Sequence, residues 1–523
     1  MQTLLRTLRT AKAPTVSPVS ASDQDVLLAA KGGGIAFVGN LLASAGRFAF
    51  GVVLARLLGA ELLGMYSLSQ TVTDVVAAVA SLGLAAGMAR YIPIAINRKD
   101  DSYLWGIIQI GIGLPSLIGL ALALGVFLLA EPLSFWAFGQ PNLAPVLRLA
   151  SLSIPLVILI TMLVAITQGF KRMEYKVYTQ DVALNFSKFI LSVALIGAGL
   201  SVMGAMAAHL LASALTVALL FYFVHHLFPL NRPLHTAKRK PGEMLGFSLP
   251  LYASGLLSQF SGSTETVILG TLGVMSGIGI YTSALRLAGI GGMFFSSLQR
   301  ISVPMISDLY GRGRLDQLQR VYQTITKWTM TFNLPIFLTT VIFAGPLLTI
   351  FGKEFAAGAP GLIILAFSSL FNASTGTNGT MITMTGHSKM TLVNSIIYLV
   401  VNLGLDVLLI PRWGMVGAAL AVMLTTVMIN TLRTIQVFLF LRLWPYDRSF
   451  FKPITAALLA GSLTYFINQW LTLRSMVLQV AVGMLLLWSM YALVIVLLKL
   501  SPEDRLVLDR LWVRVNSRWR PKS

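Results

Sequence analysis

The sequence lacks cysteine altogether and is poor in charged residues. Among its 523 residues there is no Cys, and only 11% are Asp, Glu, Lys or Arg, whereas soluble globular proteins have roughly 25% charged residues. The absence of Cys excludes disulfides, thiol nucleophiles and Cys-based metal sites. The low charge, together with 56% hydrophobic residues and a mean hydropathy of +0.79, is typical of a membrane protein.

Two further absences restrict the function. No G-x-x-x-x-G-K-[ST] loop occurs, so the chain lacks the loop with which P-loop proteins bind ATP. No segment between the apolar stretches is long enough to fold as a soluble domain, and the five His residues are scattered along the chain. We therefore expect no enzymatic activity, no cofactor and no metal site.

Apolar stretches follow one another along almost the whole chain. A stretch of about 20 residues crosses a hydrocarbon layer of about 30 Å as a helix. We predict an all-α polytopic membrane protein with fourteen transmembrane helices. The predicted spans are residues 33–55, 65–89, 103–128, 146–167, 177–197, 202–224, 246–270, 278–299, 323–345, 361–384, 391–410, 414–440, 454–470 and 476–498.

Lys and Arg are concentrated in every second connection between these spans. Because cytoplasmic loops carry the excess of Lys and Arg, we predict a bacterial inner-membrane protein with both termini in the cytoplasm. The net charge of +20 then fits contact with anionic inner-leaflet lipids and requires no nucleic acid. The basic segments are the N-terminal tail, 90–99, 171–176, 232–240, 300–320, 442–452 and the C-terminal tail.

Matched landmarks at nearly constant separation indicate an internal duplication. Gly64 and Tyr66 pair with Gly279 and Tyr281, and the other matches also lie 213 to 217 residues apart. Each repeat has six predicted helices, so both repeats have the same orientation and enclose a central cavity between two lobes. The predicted units are a cytosolic tail (1–31), an N-lobe (32–232), a C-lobe (233–441), a two-helix hairpin (442–500) and a basic cytosolic tail (501–523).

Five ionisable residues fall deep within predicted spans. Each costs about 2.5–3.5 kcal/mol to insert, which makes it a candidate for function. One hypothesis is that the two arginines line the cavity and bind a diphosphate, while the two acids hold or release them during gating or ion coupling. The alternative is an ion pair inside each lobe, and Lys188 is either a cavity cation or the partner of a backbone carbonyl. The five residues are Arg47, Asp74, Lys188, Glu265 and Arg286.

The predicted tenth span is unusually polar. Asn372 and Asn378 are candidates for substrate binding, and hydrogen bonds between helices are the alternative role for this polarity. Lys327 and Arg433 lie nearer the predicted cytoplasmic ends of their spans, where long basic side chains can reach the membrane surface.

Three stretches resemble the MOP (multidrug/oligosaccharidyl-lipid/polysaccharide) exporter superfamily, and within it the Wzx-like polysaccharide flippases. They are "ARLLGAELLGMYSL" after span one, "GIGIYTSALRL" in span eight and "SVPMISDLYGRGRLDQLQRVYQ" after it. The resemblance implies a rocker-switch transporter of a polyprenyl-diphosphate oligosaccharide. It further implies that Arg47 and Arg286 lie near the diphosphate, and that spans thirteen and fourteen lie near the prenyl chain.

Two other functions remain open from the sequence. A cation-coupled drug or metabolite antiporter of the same superfamily would bind H⁺ or Na⁺ at Asp74 and Glu265. A membrane-embedded sugar-lipid polymerase or glycosyltransferase is disfavoured, because the outer loops are short and poor in acids. For a flippase, polysaccharide polymerases and glycosyltransferases are the expected protein partners.

Overall fold

The computed structural model describes residues 21–470 and 476–498. The predicted C-terminal tail, 501–523, and residues 1–20 of the predicted N-terminal tail lie outside the described residues. Residues 21–31, predicted to belong to that tail, are helical and continue into the first span. Ala, Leu and two early Asp residues in this stretch favour a helix start.

Helices make up nearly all of the described chain, and no strand occurs among these residues. The longer helices are α1 (Ala21–Ser81), α2 (Leu84–Asn97), α3 (Asp101–Leu128), α4 (Ala144–Ser151), α5 (Ile154–Gly169), α6 (Leu184–Leu195), α7 (Ser201–Leu227), α8 (Pro241–Ser261), α9 (Thr264–Thr271), α10 (Met275–Ala288), α11 (Ile290–Gly311), α12 (Leu315–Ile342), α13 (Ala359–Ser374), α14 (Asn378–Met384), α15 (Ser388–Leu441), α16 (Phe451–Trp470) and α17 (Met476–Leu497). Short α, 3₁₀ or π segments are Ala130–Pro132, Leu133–Ala137, Pro141–Leu143, Met173–Lys176, Val177–Ala183, Ile196–Leu200, Leu234–Thr236, Ala344–Leu348, Lys353–Gly358 and Arg448–Phe450.

Eight helices of the described chain are long and apolar enough to cross a membrane. The pair α10 and α11, bent by 47° at their junction, forms a ninth if it is counted as one span. The predicted class, an all-α polytopic membrane protein, is thus confirmed.

Helix α1 folds back on itself at Gly59. Gly51 lies against Arg286 and Ser67 lies 3.5 Å from Thr282, although these two partners are only one turn apart on α10. A continuous helix would separate Gly51 from Ser67 by about 24 Å. Gly59 has φ 74° and ψ 176°, a conformation that essentially only glycine adopts. The predicted loop between spans one and two is therefore reduced to a tight break.

Helix α15 contains a second reversal, at Gly414. The amides of Asn394 and Gln436 exchange two hydrogen bonds of 2.7 and 3.0 Å, although a continuous helix would place them about 63 Å apart. Gly414 has φ 54° and ψ −130°, which lies outside the allowed region for other residues. The presence of two membrane spans within 391–440 stays a prediction.

The stretches predicted as the N-lobe (32–232) and the C-lobe (233–441), which keep these names below, meet where α1 crosses α10. A Cβ atom at Gly64 would overlap the carbonyl of Met275, and one at Gly279 would overlap the carbonyl of Ala60. Each contact therefore needs a glycine, because only the missing side chain lets the two backbones approach this closely. These are the two glycines that the predicted duplication pairs, and the duplication itself stays a prediction.

A second contact between the lobes joins α8 to the end of α1 and to α2. The hydroxyl of Tyr252 donates to the carbonyl of Val79 at 2.6 Å, and the guanidinium of Arg90 lies 4.1 Å from the ring centre of Phe247. The linker after α7 also packs on the N-lobe, since Trp105 donates to the Pro233 carbonyl at 3.1 Å. The two lobes are therefore held together at two levels.

Helices α16 and α17 pack against α12. Gly461 and Gly483 make room for side chains of α12 and its C-terminal end. The hydroxyl of Tyr491 donates to the carbonyl of Thr331 at 2.8 Å, and the indole of Trp488 donates to the Thr339 hydroxyl at 3.2 Å. The predicted appended hairpin is thus attached to the C-lobe through α12.

The glycine contacts between α1 and α10 generate a stability prediction. We expect Gly64→Ala to lower the free energy of unfolding by about 1–3 kcal/mol, because the new methyl group forces the backbones apart. Thermal unfolding of the purified protein in detergent measures the change. Gly125→Ala is the matched control, since a Cβ at that position of α3 meets nothing within 4 Å. Equal melting temperatures for the two variants would contradict the contact.

Candidate functional site

Arg286 projects from α10 of the C-lobe onto α1 of the N-lobe. A Cβ built at Gly51 would lie 2.8 Å from Nη1 and 3.1 Å from Cζ of Arg286. Nη1 is buried and has no hydrogen-bond partner among the described residues. The glycine thus provides space for a guanidinium that keeps a donor unused at the boundary between the lobes.

Lys188 brings a second positive charge to this boundary. Its Nζ lies 4.7 Å from the ring centre of Phe50, one residue before the glycine that contacts Arg286. The ammonium interacts electrostatically with Arg286, Arg47 and Asp74. The role of Lys188 as a cavity cation stays a prediction.

Arg47 and Asp74 complete the group that we call the cationic chamber: Arg47, Asp74, Lys188 and Arg286. Arg47 is exposed and donates to Ser44 at 2.9 Å. Asp74 accepts a hydrogen bond of 3.1 Å from Gln70. The name denotes these four side chains, three cations and one carboxylate that are linked electrostatically through Lys188, and the group carries an excess of positive charge. The alternative of ion pairs inside each lobe has no counterpart here, because in the described chain no ion pair joins Arg47 to Asp74 or Glu265 to Arg286.

Unpartnered polar groups extend the polar region from Lys188 into the N-lobe. His209 is 5% exposed, interacts electrostatically with Lys188 and has no hydrogen-bond partner on either ring nitrogen within the described chain. The buried hydroxyls of Ser69, Ser192 and Ser213 are likewise unpartnered among these residues. Because buried polar groups are normally satisfied, this polarity distinguishes the chamber side of the N-lobe from an ordinary helix core. Sequence reasoning missed His209.

Glu265 lies in a different place, inside the C-lobe and beside Asp406. The two carboxylates are 4% and 0% exposed and interact electrostatically with each other. The amide of Asn402 donates to Glu265 at 3.2 Å and to Asp406 at 2.6 Å. No Lys or Arg of the described chain forms an ion pair with either acid. Two buried carboxylates this close are stable together only with a proton or a cation between them.

Asp406 was missed because it falls near the end of predicted span eleven. Asn402 and Asp406 are four residues apart, which places them on the same face of a helix. A polar pair at that spacing within an apolar span is the signal that could have found the site. We call Glu265, Asn402 and Asp406 the acidic pair site.

Asn372 and Asn378 make their contacts inside the C-lobe. The Asn378 amide donates to the Asn430 carbonyl at 3.1 Å and to the Thr434 hydroxyl at 3.2 Å. Asn430 in turn donates to the Asn372 side chain at 3.1 Å. Both asparagines thus form hydrogen bonds between helices, which is the alternative role given above. Their role in substrate binding stays a prediction.

Lys327 does not reach a surface as predicted, whereas the prediction for Arg433 stays a prediction. Lys327 is 4% exposed, and Arg433 is partly exposed and lines two open pockets beside Gly379. The prediction for Lys327 was wrong because the period of a helix does not tell which of its faces is covered by a neighbouring helix.

Two curated relatives are similar to this chain in sequence. "Capsular polysaccharide biosynthesis protein CapF" of Staphylococcus aureus is 24% identical over 409 residues, which cover 74% of this chain and 93% of the relative. "Probable low-salt glycan biosynthesis flippase Agl15" of Haloferax volcanii is 25% identical over 198 residues, 37% of this chain and 42% of the relative.

Two solved structures share the fold. "Lipid II flippase MurJ, inward closed conformation" has a TM-score of 0.70 at 17% identity and covers 88% of this chain and 98% of its own. An inward-facing multidrug resistance MATE family transporter of the MOP superfamily has a TM-score of 0.68 at 17% identity, with 76% of this chain and 94% of its own covered. The expected superfamily fold is therefore confirmed.

The family described as "Polysaccharide biosynthesis protein" matches residues 53–360. This range is more than half of the chain and includes α1 from Val53 onward as well as α10, the two helices that meet at the cationic chamber. The chain belongs to the polysaccharide biosynthesis protein family.

Proposed function

We propose that this protein is a flippase that moves a polyprenyl-diphosphate-linked oligosaccharide from the cytoplasmic to the outer leaflet by alternating access. The observation that carries the proposal is the cationic chamber, in which Arg286 of the C-lobe meets the α1 hairpin of the N-lobe. The family and the relatives named for glycan flippases support the same substrate class. Transport, not bond cleavage, is therefore the activity.

The chamber suits the most difficult part of such a substrate. A diphosphate cannot enter hydrocarbon unaided, because transferring an unpaired ion out of water costs many kcal/mol. Guanidinium groups replace its hydration with bidentate, charge-assisted hydrogen bonds. Arg286 has an unused donor for this purpose, and Arg47 and Lys188 add charge that Asp74 only partly offsets. The same charge disfavours a cationic drug as the substrate.

The finer membrane arrangement is also part of the proposal. The hairpins at Gly59 and Gly414 divide α1 and α15 into two arms each, which supports fourteen crossings, and the charge asymmetry supports cytoplasmic termini in a bacterial inner membrane. Helices α16 and α17 pack on α12 with apolar side chains such as Leu458 and Leu459 exposed, and we assign this surface to the prenyl chain. Polymerases, glycosyltransferases and anionic lipids are the proposed partners of the protein.

The acidic pair site is the proposed ion-coupling element of the transporter. A proton or a monovalent cation bound by Glu265 and Asp406 would relieve their repulsion and change the packing of α9 against α15. Asp74, the other predicted coupling residue, lies in the chamber, where it balances cations. Ion coupling is thus assigned to a site inside the C-lobe, and substrate binding to a separate site between the lobes.

Removing the interlobe guanidinium tests the flippase proposal. We expect Arg286→Ala to slow flipping of a fluorescent polyprenyl-diphosphoryl sugar in proteoliposomes by roughly tenfold to a hundredfold, since a hydrogen bond to a charged group contributes about 1.5–3 kcal/mol. Arg148→Ala is the control, because that arginine is partly exposed and pairs with Glu131. Unchanged flipping in the Arg286 variant would refute the role of the chamber.

A cross-link between the lobes tests alternating access. Ser67 and Thr282 hydroxyls lie 3.5 Å apart across the boundary, and the native chain has no Cys. We expect Ser67→Cys combined with Thr282→Cys to form a disulfide on mild oxidation and to lose flipping, with recovery on reduction. Each single variant, oxidised in parallel, is the control. Full flipping by the cross-linked protein would mean that this contact does not open during transport.

Neutralising one carboxylate tests ion coupling. We expect Asp406→Asn to abolish the dependence of flipping on an imposed H⁺ or Na⁺ gradient, because the remaining carboxylate no longer needs an ion to offset a neighbouring charge. Glu131→Gln, which removes an exposed acid, should keep the gradient dependence of the wild type. A gradient response in Asp406→Asn equal to that of the wild type would exclude this site.

A further inference from the structure

A second group of cations lies in the C-lobe, away from the chamber. Arg300 of α11 and Arg433 of α15 line one cavity of about 390 Å³ between α11, α14 and α15. Arg433 also lines an adjoining cavity of about 220 Å³. No carboxylate lines either cavity, so both guanidinium groups face uncharged walls. We call the larger space the Arg300–Arg433 cavity.

The polar walls of this cavity are held by their own hydrogen bonds. Gln299 donates to Thr380 at 2.8 Å, and the hydroxyls of Thr383 and Thr391 are 2.9 Å apart. Asn394, another lining residue, is paired with an amide on the second arm of α15. The walls are therefore fixed before any ligand arrives, which lowers the ordering cost of binding.

The two guanidinium groups are not satisfied by acids. In the described part of the chain, neither Arg300 nor Arg433 forms an ion pair. Burying a charge without a counter-charge costs several kcal/mol, and Arg433 is only partly exposed, whereas Arg300 is exposed at the mouth of the cavity. An anion in the cavity would provide a counter-charge for Arg433 and would also contact Arg300.

The start of α15 adds to the positive potential. This helix begins at Ser388, and Thr391 of its first turn lines the cavity. The N-terminus of a helix carries a partial positive charge and free backbone N–H groups, both of which favour phosphate. Two arginines, hydroxyl groups and a helix start together match the chemistry of a phosphoryl group, which presents more acceptor oxygens to two guanidinium groups than the two of a carboxylate.

The nearest acids do not account for Arg433. Its electrostatic partner is the hydroxyl of Tyr398, which lines the smaller cavity and which also interacts with Glu265 and Asp406. The tyrosine therefore interacts with both the guanidinium and the acidic pair site. Within the described chain, no carboxylate is among the electrostatic partners of Arg433.

We propose that the Arg300–Arg433 cavity binds the phosphoryl group of a lipid, and that it holds the diphosphate of the substrate before it enters the cationic chamber. This inference rests on the proposed flippase function. The cavity adjoins the basic segment 300–320, which the charge pattern assigns to the cytoplasmic side, where the substrate is loaded. A phosphodiester of an anionic phospholipid offers the same chemistry and is the other source of the bound group.

Equilibrium binding of radiolabelled farnesyl diphosphate to the full-length protein in phosphatidylcholine nanodiscs tests the site. We expect Arg433→Gln and Arg300→Gln each to raise the Kd at least tenfold, and Arg433→Lys to fall between them and the wild type, because Lys keeps the charge but not the bidentate geometry. Arg412→Gln is the matched control, an exposed arginine on the same helix and outside the cavity. Monodispersity and the melting temperature show whether each variant folds. If Arg433→Gln fails to fold, the Kd of Arg300→Gln alone tests the proposal.

Two further arms separate this site from the chamber and identify the source of the phosphoryl group. In protein that already has Arg286→Gln, adding Arg433→Gln should still raise the Kd for farnesyl diphosphate at least tenfold. This result is expected whether or not the protein flips lipid. Replacing phosphatidylcholine by phosphatidylglycerol assigns the site to phospholipid if it displaces farnesyl diphosphate, and to the diphosphate if it does not. Equal Kd values for the wild type, Arg433→Gln and Arg300→Gln would overturn the proposal.

Discussion

The close crossing of α1 and α10 is the contact on which the rest of the arrangement depends. It exists because Gly64 and Gly279 present no side chain where the opposing backbone passes. A helix pair in a membrane gains little from apolar burial, so close backbone approach is its main source of attraction. The same crossing places Arg286 beside Gly51 and brings C-lobe charge into the N-lobe. The contact between the lobes and the position of the guanidinium proposed to bind the substrate thus follow from the same helix packing.

The distribution of charge divides the molecule into regions with different tasks. Cations dominate the chamber between the lobes, whereas the buried acids of the C-lobe, Glu265 and Asp406, lie together without a basic partner among the described residues. Had these acids paired with Arg286, both regions would be neutral and neither could attract an ion. Keeping Glu265 and Asp406 apart from Arg286 costs stability, because the two acids are buried without a basic partner among the described residues. Such a cost is expected where ions or charged groups bind and leave.

The sequence predicted the all-α membrane class, the polysaccharide-biosynthesis family and the superfamily fold. These follow from hydropathy, spacing and recognisable stretches, which are properties of local sequence. It did not predict Asp406, His209 or the burial of Lys327, because each depends on which helix covers which face. The single-glycine reversal at Gly59 was likewise read as a loop. Its tight form depends on a carboxylate from the C-lobe, since Glu354 accepts a hydrogen bond of 2.7 Å from the Ala60 backbone.

Several unpaired cations along one transporter raise the question of why a single anion would need more than one site. A lipid headgroup that left water for one deep binding site would cross its whole desolvation barrier in a single step. Intermediate guanidinium groups divide that barrier into smaller ones, provided that no site binds so tightly that the substrate stays there. The mixed environment of each arginine meets this condition. Arg286 is accompanied by Asp74 in the chamber, and Arg433 by the Tyr398 hydroxyl, so neither site presents the full attraction of an isolated charge.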